Sequence, residues 1–198
     1  MRSLQWVRAM LAGLALVGGC AVAQDVVVRQ LARWVTDAGD HGGAPFAIVD
    51  KRGATLSVFD GNGKLLGASP ALLGLTPGDG TLPGVAQRVQ TGLTLQDRTT
   101  PAGRFISEPG RNLKGERVVW VDYASAFAIH RMRPAPERER REERLASATP
   151  DDNRITLGCV VVPVAFYENV VDPLIGRRHA VVYVLPESGA IDGLLAAH

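Results

Sequence analysis

Apolar positions change period twice along this chain. In "DVVVRQLARWVTDAGDHGG" Val27, Leu31, Trp34 and Val35 recur near helical spacing, and glycines end the run. That pattern predicts one amphipathic helix, with Trp34 in the core and His41 in a loop. From residue 45 the pattern becomes short β runs, at Phe46–Asp50, Ala54–Phe59 and Lys64–Ser69. Lys51-Arg52-Gly53 and Asp60-Gly61-Asn62-Gly63 separate them as turns. "DGNG" lacks the later carboxylates of a calcium loop, so a hairpin turn is expected. Residues 70–99 are rich in Gly, Pro and Thr and read as loops with short elements. "TTPAGRF" leads into a strand, and "ERVVWVDYASAFAIH" reads as two strands ending at His130.

Residues 131–153 break the β pattern with a densely charged insert. Within it, Glu137–Arg141 and Arg138–Glu142 are favourable i,i+4 pairs, while Glu139–Glu143 and Arg140–Arg144 oppose them. Those terms roughly cancel, and a charge run of this kind is expected to face water as a short solvated helix or mobile loop rather than to form a lid. "ITLGCVVV" then reads as a strand or strand end. "PVAFYENVVDPLIG" starts with Pro163 at N1 and spaces Phe166, Val170 and Leu174 four apart, which predicts a helix. "HAVVYVLPE" is the last strand. The expected fold is mainly β: one sandwich-like domain over residues 45–190 with two or three peripheral helices. A chain of 198 residues suits one such core.

The first residues change the picture. Arg2 and Arg8 precede "LAGLALVGG", and Ala21 and Ala23 follow it. This order is that of a secretory signal peptide over residues 1–23, cleaved after Ala23. The apolar run is too short for a transmembrane span. A lipoprotein reading, with Cys20 as lipid anchor, fits "VGGC" more loosely. Residues 24–44 then form the helix and linker, and residues 191–198 a tail. Without Arg2 and Arg8 the basic and acidic residues balance. Charge therefore gives no case for nucleic acid. An exported chain would keep one cysteine, Cys159, with no disulfide partner in an oxidising compartment.

A thiol needs a base or a positive field to act as a nucleophile. His130 closes an apolar strand where loops begin, and it is the base best placed by the sequence; His41, His179 and His198 lie in less suitable segments. Gly158 lets a carbonyl approach the backbone, so the Gly158 and Cys159 amides are candidate oxyanion donors. Thr156 offers a hydroxyl to orient the imidazole. From the residues alone, an acyl-transfer thiol and a buried structural cysteine remain equally open.

The ordered blocks "TPAGRF", "AIH" and "RITLGC", followed by a helix and "VVYVLPE", resemble the L,D-transpeptidase catalytic domain (YkuD-like) family over about residues 45–187. "RLASATPDDNRITLGCVVV" is similar to a subgroup with an Arg-Leu-Ala-Ser insert. The resemblance implies a periplasmic or exported enzyme of cell wall biogenesis, with peptidoglycan stem peptides as substrate and neither metal nor cofactor. It implies Cys159 as nucleophile, His130 as base, Thr156 as orienting residue, and the Gly158 and Cys159 amides as oxyanion donors. Terminal D-alanine would leave and an amine acceptor would take the acyl group; water as acceptor would make a carboxypeptidase. The chain departs from the family at Leu157 and Val161, where polar residues are usual. Leu157 would then face substrate, and Arg154 would supply an anion contact. Those departures also leave room for a catalytically weakened relative that binds cell wall or a partner through the same cleft.

Overall fold

Helix α1 spans Val17–Ala38 and turns Val28, Leu31, Ala32 and Val35 toward one cluster with Phe46, Ile48, Phe59, Val181, Tyr183 and Leu185. The computed structural model describes residues 17–187, and side chains from residue 25. Most of the expected leader, the Cys20 side chain, the tail and His198 lie outside the described residues. Backbone helix is continuous across the expected cleavage point after Ala23. Among the described residues no helix is long and apolar enough to cross a membrane.

The strands are β1 (Phe46–Asp50), β2 (Thr55–Phe59), β3 (Leu65–Pro70), β4 (Leu73–Gly74), β5 (Gly103–Arg111), β6 (Arg117–Asp122), β7 (Phe127–Arg131), β8 (Arg154–Thr156), β9 (Val160–Val162) and β10 (Ala180–Val184). Eight of them make one sheet in the order β3-β2-β1-β10-β5-β6-β7-β9, and β4 pairs with β8 apart from it. β1 and β10 pair in parallel and are buried along their whole lengths, which explains why they read as unbroken apolar runs. Beyond β9 the sheet turns back on its own beginning. Leu72 N–H donates to Val161 O at 2.7 Å and Val161 N–H to Leu72 O at 2.9 Å. That bridge ties the last strand to the chain just past β3 and nearly closes the sheet, so β9 has no free edge there. The fold is mainly β, as the periodicity indicated.

Inside the curve lies the main core. Ala47, Val49, Leu56, Val58, Val119, Ile129, Val160, Val162 and Val182 meet Tyr167, Val171 and Ile175 from the helical segment that follows β9. The short helices are α2 (Val85–Arg88), α3 (Arg141–Ala146), α4 (Val164–Phe166) and α5 (Asp172–Ile175). Between α4 and α5 the chain winds as a π-helical turn over Tyr167–Val171. Pro173 lacks the N–H that would bond residue 169, and the winding changes just before it.

Two turn residues are buried. His41 lies in the turn after α1, as expected, but it is buried, and its ring bridges Val35 O at 3.1 Å and Gly61 O at 2.9 Å. It clasps the end of α1 to the β2–β3 turn. Beside it, Asp40 pairs with Arg104 at 2.7 Å and accepts from the Tyr183 hydroxyl. Lys51, read as a turn residue, has a fully buried side chain. Trp34 packs against the α1 cluster as expected.

The docking of α1 is set by apolar contact, so it is open to a direct test. Leu31→Ala should lower unfolding stability by about 2–5 kcal/mol in urea titration. A loss within about 0.5 kcal/mol would mean α1 contributes little to the folded unit.

Candidate active site

The segment expected as a strand or strand end, residues 155–162, is shared between two strands, β8 and β9. β8 pairs in parallel with β4, Leu73 opposite Arg154 and Gly74 opposite Thr156. β9 pairs in parallel with β7, Ile129 opposite Val160 and His130 opposite Val161. The chain changes sheets across Leu157–Cys159, and Gly158 makes that corner with φ +126°, a value side-chain-bearing residues rarely adopt. Cys159 therefore stands just before β9, two residues ahead of Val161, which pairs with His130 on the neighbouring strand. Strand spacing and rise put the Cα atoms of Cys159 and His130 roughly 8 Å apart.

The corner at Gly158 and Cys159 is held by several bonds. Thr156 Oγ1 donates to Cys159 O at 2.7 Å and accepts from Gly158 N–H at 3.2 Å. A threonine hydroxyl has one proton, and Thr156 gives it to the Cys159 carbonyl. It consequently does not orient the His130 ring, contrary to expectation. It closes the turn instead, and it occupies the Gly158 amide that was expected at an oxyanion. On the opposite side, Thr100 Oγ1 donates to Gly158 O at 2.9 Å and accepts from Gly74 N–H at 2.9 Å.

His130 is oriented by its own neighbour. Nδ1 lies 2.8 Å from Arg131 O. Because a carbonyl can only accept, Nδ1 carries the proton, and Nε2 in the neutral ring keeps its lone pair. Burial pushes the ring's pKa down to about 4; the Arg131 carbonyl opposes the shift, and the charges of Arg133 and Arg141 add to it. His130 is thus neutral and able to accept a proton at neutral pH. Burial also pushes the Cys159 thiol up, against the Ala128 N–H and the Arg133 charge. The residue itself is half-buried. Its Sγ donates to Ala126 O at 3.5 Å. At rest the thiol and the imidazole are both in their neutral forms, and their hydrogen bonds go to Ala126 O and Arg131 O rather than to each other.

Leu157, beside the cysteine, is 51% exposed. Arg154 is differently employed. Its guanidinium lies 3.1 Å from Glu187 and donates to Lys51 O at 3.1 Å. It belongs to a cluster with buried Lys51 and is not held out as an anion contact. Val161 is buried with Leu72 and Leu145 in a small cluster that Met132 and Ile155 border. Val161 is thus where α3 of the charged insert docks, through Leu145. The insert is pinned, with Arg144 donating to Glu139 O and Asp152 O. Beside it lies a cleft of about 580 Å³ whose walls include Arg133, Arg140, Arg141, Glu137, Glu142 and Glu143; neither Cys159 nor His130 lines it. Among the described residues no group of three or more His, Cys, Asp or Glu side chains could hold a metal ion.

No family model matches the chain, and no curated protein does. Solved structures do match. The catalytic domain of the E. faecium L,D-transpeptidase is 16% identical, with 72% of this chain and 98% of that chain covered and a TM-score of 0.42. L,D-transpeptidase 1 of Mycobacterium tuberculosis is 16% identical, covering 72% and 61%, with a TM-score of 0.40. The helical cell shape determining protein Pgp2 from Campylobacter jejuni is 14% identical, covering 74% and 49%, with a TM-score of 0.46. The chain spans about six-tenths of the length of the Mycobacterium tuberculosis structure. Such likeness says nothing about chemistry, which rests on this chain's own residues.

The buried neutral His130 has a consequence for stability. Its folded pKa, about 4, lies below the ordinary 6.5. Between those values the unfolded chain binds a proton that the folded chain refuses. The stabilisation is complete above pH 6.5 and is lost as pH falls toward 4. In urea titrations across that range, His130→Phe should flatten the decline. An identical decline in both proteins would contradict a buried neutral ring.

Proposed function

We propose that this chain is an exported cysteine L,D-transpeptidase acting on peptidoglycan stem peptides. The observation that carries the reading is the parallel pairing of β7 with β9, which has His130 opposite Val161 while Cys159 lies two residues before Val161, at the corner that leads into β9. His130 holds its proton at Nδ1 and leaves Nε2 free. The ordered resemblance of "TPAGRF", "AIH" and "RITLGC" supplies the substrate class. The leader over residues 1–23 and the catalytic unit over residues 45–190 belong to the same proposal.

In this reading Sγ leaves the Ala126 carbonyl, by rotation about the side chain, and turns to the substrate. Sγ attacks the carbonyl before terminal D-alanine while its proton passes to His130 Nε2. The carbonyl oxygen becomes an oxyanion facing the Cys159 N–H. The carbon–nitrogen bond breaks, and the departing D-alanine amine takes the proton from His130. A thioester remains on Cys159. An acceptor amine attacks it and gives up a proton to His130, and collapse restores the thiol and forms a new amide. Water in place of the amine gives a carboxylic acid and a carboxypeptidase. Leu157, exposed beside the sulfur, offers apolar contact to the stem in place of the family's polar one.

One observation favours a second reading. The thiol is raised by burial and bonded to Ala126 O. A sulfur kept that way suits a weakened relative that binds cell wall without turning it over.

Release of D-alanine from a disaccharide tetrapeptide separates the two. Wild type should release it, and Cys159→Ala should reduce the rate by at least about 1000-fold. His130→Gln should slow it by about 100-fold or more through loss of the base. Muropeptide binding without release in wild type would establish the binding reading; equal release from Cys159→Ala would remove the mechanism altogether.

A further inference from the structure

A lysine with no exposed side-chain surface stands at the end of β1. Lys51 Nζ donates to Gly78 O at 2.6 Å, Asp79 Oδ1 at 2.7 Å and Thr100 O at 3.1 Å. Glu187 lies 3.6 Å away. An ammonium has three protons, and three acceptors take them. Burying a charge this way is costly compared with an apolar residue of similar size, so bulk stability is a poor reason for it.

The third of those bonds leads to the candidate site. Thr100 is 1% exposed. Lys51 fixes its carbonyl, and its hydroxyl is fixed between Gly74 N–H and Gly158 O. Pro101 follows and restricts the Thr100 backbone further. The next contact is steric. A side chain at Gly158 would come within 3.0 Å of Thr99 O. The Thr99-Thr100 backbone therefore packs directly against the peptide unit that joins Gly158 to Cys159.

That peptide unit is planar and trans, so its C=O and N–H point in opposite directions. Whatever holds the Gly158 carbonyl aims the Cys159 N–H. The Gly158 N–H is already donated to Thr156, which leaves the Cys159 amide as the oxyanion donor this corner can offer. We propose that Lys51 and Thr100 form a positioning relay: Lys51 sets the Thr100 backbone, the Thr100 hydroxyl pins the Gly158 carbonyl, and the Cys159 N–H is thereby aimed at the substrate's carbonyl oxygen. The relay rests on the acyl-transfer reading given above. Neither residue touches substrate; both act through the Gly158–Cys159 peptide.

Two reactions of the same thiol test it. Acylation by a carbapenem passes through an oxyanion, whereas alkylation by iodoacetamide is a direct displacement at carbon and forms none. Full-length wild type, Thr100→Val, Thr100→Ser and Lys51→Met are compared in both by intact mass against time. Thr100→Val should acylate at least about 10-fold more slowly, within the range for a misplaced oxyanion donor, while its alkylation stays within about 2-fold of wild type. Thr100→Ser keeps the hydroxyl and should acylate within about 3-fold of wild type. Lys51→Met should follow Thr100→Val in direction. Acylation of Thr100→Val at the wild-type rate overturns the relay. So does an equal loss of both reactions, or failure of serine to rescue, since either marks general disruption. A wild type that alkylates and never acylates sinks the acyl-transfer reading itself, and the relay with it.

Discussion

The parallel pairing of β7 with β9 is the constraint on which the site depends. His130 lies opposite Val161 and Ile129 opposite Val160, so the pairing fixes the histidine's strand against β9, and the corner just before β9 carries the cysteine. β9 is only three residues long. It is kept in place from its other side by the two bonds between Val161 and Leu72, and from above by Leu145 of the insert. A site on strands can be held more closely than one on loops. The corner at Gly158 is what the pairing requires: the chain must leave β4's side and join β7 within three residues, and a left-handed glycine makes the turn.

Electrostatics at the site follow from burial more than from paired charges. His130 and Cys159 are both pushed toward their neutral forms by desolvation. Arg133 acts on both, lowering each, and is itself held by Glu116 at 2.6 Å. On the proposed acyl-transfer reading, such groups would keep the thiol unreactive until a substrate carbonyl arrives and proton transfer can accompany attack. For a lone cysteine outside a reducing compartment, a thiol of this kind resists oxidation, because the thiolate is the reactive species. The same burial that protects the sulfur slows it.

Cys159, His130 and Gly158 could be singled out in the sequence because each has a residue type tied to a chemistry and a position at one end of an apolar run; their catalytic roles belong to the proposal. The mainly β fold was legible from the period-2 and unbroken apolar runs, and α1 from its helical spacing. What escaped was anything set by segments far apart in sequence. Thr156 carried the right hydroxyl, yet its proton goes to the Cys159 carbonyl, a choice that only the corner's geometry makes. Arg154 carried the right charge, yet Glu187 and the Lys51 carbonyl claim it. Thr100 stood in the "TPAGRF" block without a role until Gly158, far along the chain, came against it. Lys51 looked like a turn residue because lysine usually faces water, and its burial depends on Asp79, Thr100 and Glu187 converging from three other segments. Val161 looked like a lost polar contact; it is an apolar seat for the insert.

The central claim is that Cys159 carries the stem peptide as a thioester, and the most direct measurement is peptide mapping by mass spectrometry. Wild type would be incubated with a disaccharide tetrapeptide, quenched in acid and digested. The account predicts a mass increase on the Cys159 peptide equal to the stem less D-alanine, with His130→Gln accumulating less of it. An acyl group on another residue, or D-alanine release with no adduct at Cys159 under rapid quenching, would contradict it.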